Sequence, residues 1–86
     1  MHELSVAVEV CRMAEARLRP EDLPRLRQVG VLVGNDAGIE ADNLEVCLEA
    51  LLAAPPFGRA VPAIMRTAGD DLALAWLQVD DDSPDH

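Results

Sequence analysis

The chain has 86 residues, half of them hydrophobic, and a formal net charge of −9 from 16 acidic and 7 basic side chains. One domain with a small core is the natural size class. The acidic balance argues against nucleic acid, whose phosphates demand a basic footprint, and against anionic membrane surfaces; a cation or a basic partner surface suits it better.

No run approaches the roughly 20 apolar residues of a membrane span. The opening Met1-His2-Glu3 lacks the basic start and apolar stretch of a secretory leader. A cytoplasmic location is therefore expected, with reduced thiols at Cys11 and Cys47. Neither lies in a CxxC pair and both fall within apolar helical patterns, so buried structural thiols are the ordinary reading. The aromatics are Phe57 and Trp76, with no Tyr. Leu, Val and Ala must fill the interior.

In chain order, residues 4–18 read as a helix. Leu4, Val8, Cys11 and Leu18 fall on one stripe, widened by Ala7 and Ala14. Glu3 and Glu9 come early and Arg12, Arg17 and Arg19 late, which suits the helix dipole. Pro20 ends the helix, and Pro24 keeps the next stretch non-helical. Residues 26–33 read as a strand whose Val29, Val31 and Val33 share the face that meets the helices, while Leu32 implies that the other face is partly covered. Residues 34–38, Gly-Asn-Asp-Ala-Gly, form a turn by composition.

A second helix follows, with Asp42 as N-cap and Glu45 near capping-box spacing. Leu44, Cys47, Leu48, Leu51 and Leu52 make its apolar stripe, and Pro55-Pro56 stops it. Residues 60–66 and 72–79 are two further strands, and the short connection through Gly69 suggests a hairpin. Leu72, Leu74 and Trp76 fall on one side of the last strand, Leu77 and Val79 on the other. Pro62 demotes its strand to an edge or an irregular strand. Residues 80–86, Asp-Asp-Asp-Ser-Pro-Asp-His, read as an acidic, disordered tail. The order αβαββ, over residues 1–79, predicts a single α+β domain with two helices on one face of a three-stranded sheet.

Chemistry has few places to sit. There is no phosphate loop, HExxH or GxSxG, and with two terminal histidines and no Tyr no acid–base pair stands out, so no enzyme is expected. His86 reads as the end of the tail. His2 has a different setting. The α-amine of Met1, the backbone nitrogen of His2 and its imidazole form a three-nitrogen chelate within one short stretch. Ordinary pKa values near 8 and 6.5 free the amine and the ring of protons around neutral pH. Nickel(II) accepts such donors in square-planar geometry, and copper(II) would be satisfied by the same set. Glu3 supplies a fourth donor through backbone or carboxylate. On spacing alone, a solvated residue before the first helix remains an open alternative. Asp36, Glu40 and Asp42 cluster before the second helix, as capping residues or as carboxylates near a metal held by His2.

Met1-His2-Glu3-Leu4-Ser5 before an amphipathic helix resembles the HypA/HybF family of hydrogenase nickel-incorporation proteins. The segments Val29–Gly34, Leu44–Leu51 and Thr67–Val79 resemble that family's first strand, second helix and closing strand, so the likeness runs over nearly the whole chain. The resemblance implies an αβαββ nickel-binding domain, with Ni(II) held by Met1, His2 and Glu3 and a further acidic side chain matching best at Glu40. It also implies a nickel-insertion GTPase and the hydrogenase large subunit as partners, or urease in some members. Two departures stand out. The family's zinc module, with two CxxC pairs between the last two strands, has no counterpart here, so no zinc is expected. The family's first strand usually ends Gly-Glu, where this chain has Gly34-Asn35. The resemblance thus gives two readings: a nickel metallochaperone for hydrogenase maturation, or an interaction module that keeps the fold and docks a maturation partner without metal.

Overall fold

The computed structural model describes residues 3–80. Its elements are α1 (Glu3–Arg17), a 3-10 helix (Pro20–Arg25), β1 (Leu26–Gly34), α2 (Ala41–Leu52), β2 (Val61–Thr67) and β3 (Leu72–Val79). The expected α+β architecture is what the chain forms: two helices on one face of a three-stranded sheet. None of the described helices is long and apolar enough to cross a membrane. The expectations at Met1, His2 and residues 81–86 lie outside the described residues.

β1 is the centre of the molecule. Val29, Val31 and Val33 are fully buried beneath the helices. β-branched side chains suit a pleated surface packed on one side. From α2, Leu44, Leu48 and Leu52 point into the same core and are also fully buried. Each such side chain contributes about 1.5–3 kcal/mol by leaving water. The spacing of Ala41, Leu44, Leu48 and Leu52 follows the inner stripe of a helix.

Five expectations are corrected. In α1 the buried residues are Val6, Ala7, Val10, Cys11 and Ala14, whereas Leu4 is 56% and Val8 38% exposed. The inner face is thus turned from the Leu4–Val8 line, because small Ala7, Cys11 and Ala14 let α1 settle closely while Val6 and Val10 fill the flank. Residues 20–25 are helical after all, as a 3-10 turn. Pro20 occupies the first turn, where its missing N–H costs nothing, and the i→i+3 pattern tolerates Pro24. The N-cap of α2 is Glu40 rather than Asp42; its side chain accepts a hydrogen bond from the Asp42 backbone N–H.

The last two strands do not form a hairpin. The sheet order is β2-β1-β3, with β2 parallel and β3 antiparallel to β1. The 68–71 connection therefore crosses the end of β1 to reach its far edge. Three hydrogen bonds tie the turn after β1 to this crossing: Gly34 N to Asp71 O (2.6 Å), Asn35 N to Thr67 O (2.7 Å) and Asp36 N to Gly69 O (2.7 Å). Gly69, at φ +93°, makes the crossing's left-handed step, which a side chain would strain. Pro62 does lie in an edge strand, as its missing donor requires.

The face assignment of β3 is also corrected. Trp76 pairs with Gly30 and Leu74 with Val31, so Ala75 is an extra residue in a bulge. The bulge resets the alternation. Leu72 and Leu74 before it, and Leu77 and Val79 after it, all pair with β1 residues of the helix-facing side. Trp76 lies on the opposite face, over Gly30, where any Cβ would run into its ring. Its Nε1–H donates to Gln28 Oε1 at 2.8 Å. The partial cover on Leu32's face comes from the sheet's own side chains, with Met65 40% and Val61 56% exposed on that same face.

Candidate functional site

One end of the molecule brings together two of the residues singled out for metal, Glu3 and Glu40. The chain leaves β1 at Gly34, turns through residues 35–39 and enters α2 at Ala41. The start of α1 lies beside this turn, because Glu3 Oε2 accepts a hydrogen bond from the Glu40 backbone N–H at 3.0 Å. Glu40 in turn uses Oε1 to accept from Asp42 N at 3.3 Å. The Glu3 carboxylate thus ties the start of α1 to the start of α2, 37 residues on in sequence, while the Glu40 carboxylate caps its own helix. The arrangement has a simple cause. The first N–H groups of a helix have no partner within it, and negative charge there is favoured by the helix dipole.

Of the four residues expected to handle metal, the structure brings Glu3 and Glu40 together, while Met1 and His2 precede the described residues. Asp36 and Asp42 are exposed on the same end, and Asp70 and Asp71 lie on the adjoining crossing. Among the described residues, no three His, Cys, Asp or Glu side chains converge on a metal-sized space. The described chain therefore offers carboxylates beside the N-terminus rather than a finished cage. Asn35, at the position where the resembling family carries Glu, accepts a hydrogen bond from Arg66 Nε at 3.1 Å and ties the turn to β2.

Cys11 is buried in the core, and burial, aided by the nearby Glu15 carboxylate, pushes its thiol up to about 11 from the usual 9.0. It is a neutral packing group at physiological pH. Cys47 is half-buried on α2, and neither cysteine is in a disulfide.

Fold and site together define a small two-layer α+β domain whose helix N-termini present carboxylates around the start of the chain. Over part of its length the chain is similar to known maturation factors. Two curated relatives, the hydrogenase maturation factors HypA of Chlorobium limicola and Pelodictyon phaeoclathratiforme, are each 36% identical to it over 50 residues, or 58% of this chain. The aligned stretch spans 43% of each relative. No family model matches the chain.

Proposed function

We propose that this chain is an accessory protein of [NiFe]-hydrogenase maturation that carries Ni(II) as cargo, without catalysis, at Met1 and His2. Its likeness to two hydrogenase maturation factors supports the role in maturation. The single observation that carries the site is the Glu3–Glu40 bond, because it holds the residue next to His2 against the start of α2. The donors would be the Met1 amine, the His2 backbone and imidazole nitrogens, and a fourth from Glu3 or Glu40. With the Glu3 carboxylate engaged on Glu40 N, Glu3 serves to position the chelate.

Electrostatics bear on this proposal in both directions. Two helix N-termini place partial positive charge at this end, which disfavours a cation. The carboxylates of Glu3, Asp36, Glu40 and Asp42 offset it, and a metal-bound deprotonated amide would add further negative charge. An exposed site of this kind suits handover, since ligands exchange one at a time. By resemblance, the receiving partners are a nickel-insertion GTPase and then the hydrogenase large subunit, within the cytoplasm.

A second reading, a metal-independent module that docks a maturation partner, is favoured by the β2–β3 crossing. Where the resembling family inserts its zinc module, this chain has a four-residue link (68–71) hydrogen-bonded to the end of β1. Calorimetric titration with nickel of the untagged chain, of His2→Ala and of a form extended by one N-terminal residue separates the two. The proposal expects tight binding by the first alone, since the extension converts the α-amine to an amide and moves His2 from position two. Equal binding by all three sinks the chelate. Binding of a maturation GTPase without any nickel binding would establish the second reading.

A further inference from the structure

The end of the molecule opposite Glu3 and Glu40 is built differently. A groove of about 990 Å³ opens there between the starts of β1 and β2 and the end of β3. Arg25, Arg27 and Arg59 line it, together with Leu26, Val61 and Val79. The chain has no Lys and seven Arg, so three of its seven cations share this one groove. Arg25 and Arg27 flank the junction of the 3-10 helix with β1, and Arg59 comes from the loop before β2. In a chain of net charge −9, Asp22 sits 3.7 Å from Arg25 and Asp80 3.3 Å from Arg27, which leaves Arg59 as the excess cation of the groove among the described residues.

Asp80 also lines the groove. Asp80, directly after β3, places its carboxylate 3.3 Å from Arg27 Nη1, and Arg25 Nη2 donates to its main-chain carbonyl at 2.6 Å. The Asp80 N–H donates to Arg25 O at 2.8 Å, so an extended acidic residue is docked by both side chain and backbone. Arg27 is aimed by a bulge: Leu26 pairs with Val79 and Gln28 with Gln78, which leaves Arg27 as the extra residue of β1. Arg59 lines the same groove, exposed, and has no ion pair among the described residues. The Arg27–Asp80 pair is itself largely exposed, at 63% and 48%, and such pairs exchange readily.

We propose that this groove docks an extended, carboxylate-rich segment of a partner protein, with Arg59 and Arg27 as its anchors. Guanidinium forks match carboxylates in paired hydrogen bonds. The apolar edges that Val61 and Val79 give the groove suit a peptide chain better than a free inorganic anion. Docking here leaves the opposite end, with Glu3 and Glu40, open to its own ligand.

Trp76, the only tryptophan, is hydrogen-bonded to Gln28, which lines the groove, and so reports on it by fluorescence. The experiment titrates the full chain with hexaglutamate and, separately, with inorganic phosphate. It is repeated on Arg59→Glu and on a full chain with Asp81, Asp82 and Asp85 changed to Asn. Unchanged circular dichroism and melting show that Arg59→Glu is folded. The expected result is saturable, salt-sensitive hexaglutamate binding, weakened about tenfold or more in Arg59→Glu. The neutralised tail should leave the affinity within about threefold of the natural chain. Equal affinity in Arg59→Glu overturns the proposal, and so does phosphate binding as tight as hexaglutamate, which would mark a general anion site. Binding that emerges only when the tail is neutralised also overturns it, since the chain's own tail would then be the occupant.

Discussion

Cys11 and Gly34 show how single positions hold this small core. The buried Cys11 thiol ionises near 11 instead of the usual 9.0. Below the lower value it is protonated in both folded and unfolded chains, and its contribution to stability is fully present. Between about 9 and 11 the unfolded chain ionises first, so stability falls as pH rises through this window, by on the order of 2 kcal/mol in total. Urea unfolding at about pH 8 and about pH 10.5 should show this loss in the natural chain, with a clearly smaller loss in Cys11→Ala; an equal loss in both would assign the effect to other groups. Gly34 is constrained by backbone instead. A Cβ there would strike the Gly69 carbonyl and sit 2.7 Å from Asp71 N. Gly34→Ala should cost about 1–3 kcal/mol, read as a lower urea midpoint, because neither neighbour is a side chain that can swing away. Gly34 was visible in sequence only as a turn residue. Its close approach to the crossing could not be read, since residues 69–71 are distant in sequence.

At the scale of elements, cavities test the packing. Leu48 is fully buried between α2 and the sheet, and Leu48→Ala should cost about 3–5 kcal/mol in thermal or urea unfolding. Leu74 borders a groove of about 390 Å³ between α1 and β3, where α1 touches the strand only lightly. Leu74→Ala should sit nearer about 2 kcal/mol, because its neighbours can close in or water can enter. If Leu74→Ala proves the costlier, the groove is filled in solution. The same elements show what periodicity can and cannot tell. The existence and order of both helices and all three strands were legible, because apolar residues recur with helical or alternating spacing. The Ala75 bulge was not, and it moved Trp76 to the other face from Leu72 and Leu74. The inner face of α1 was misjudged for a related reason. Leu4 and Val8 are the more hydrophobic candidates, but helix–helix approach rewards the small Ala7, Cys11 and Ala14.

Over the whole molecule, the two ends divide the chemistry. Glu3 and Glu40 were singled out through the opening pentapeptide and its family resemblance, and the structure joins them by a hydrogen bond across 37 residues of sequence. The arginine groove was not legible, because Arg59 meets the neighbouring pair Arg25 and Arg27 only through the parallel pairing of β2 with β1. That topology also bears on how the chain stays folded. In the resembling family a zinc module stands between the last two strands, and structural zinc sites contribute folding energy outright. In this chain the link is closed instead by the hydrogen bonds of Gly34, Asn35 and Asp36 to residues 67–71, over a core whose main side chains are fully buried aliphatics. Stability should therefore rest on packing rather than on metal. Saturating EDTA should leave the melting temperature within about 1 °C of the untreated chain, a shift too small to represent the loss of a bound structural ion. A fall of several degrees, restored by added zinc, would mean that a metal closes the fold and that the crossing alone does not suffice.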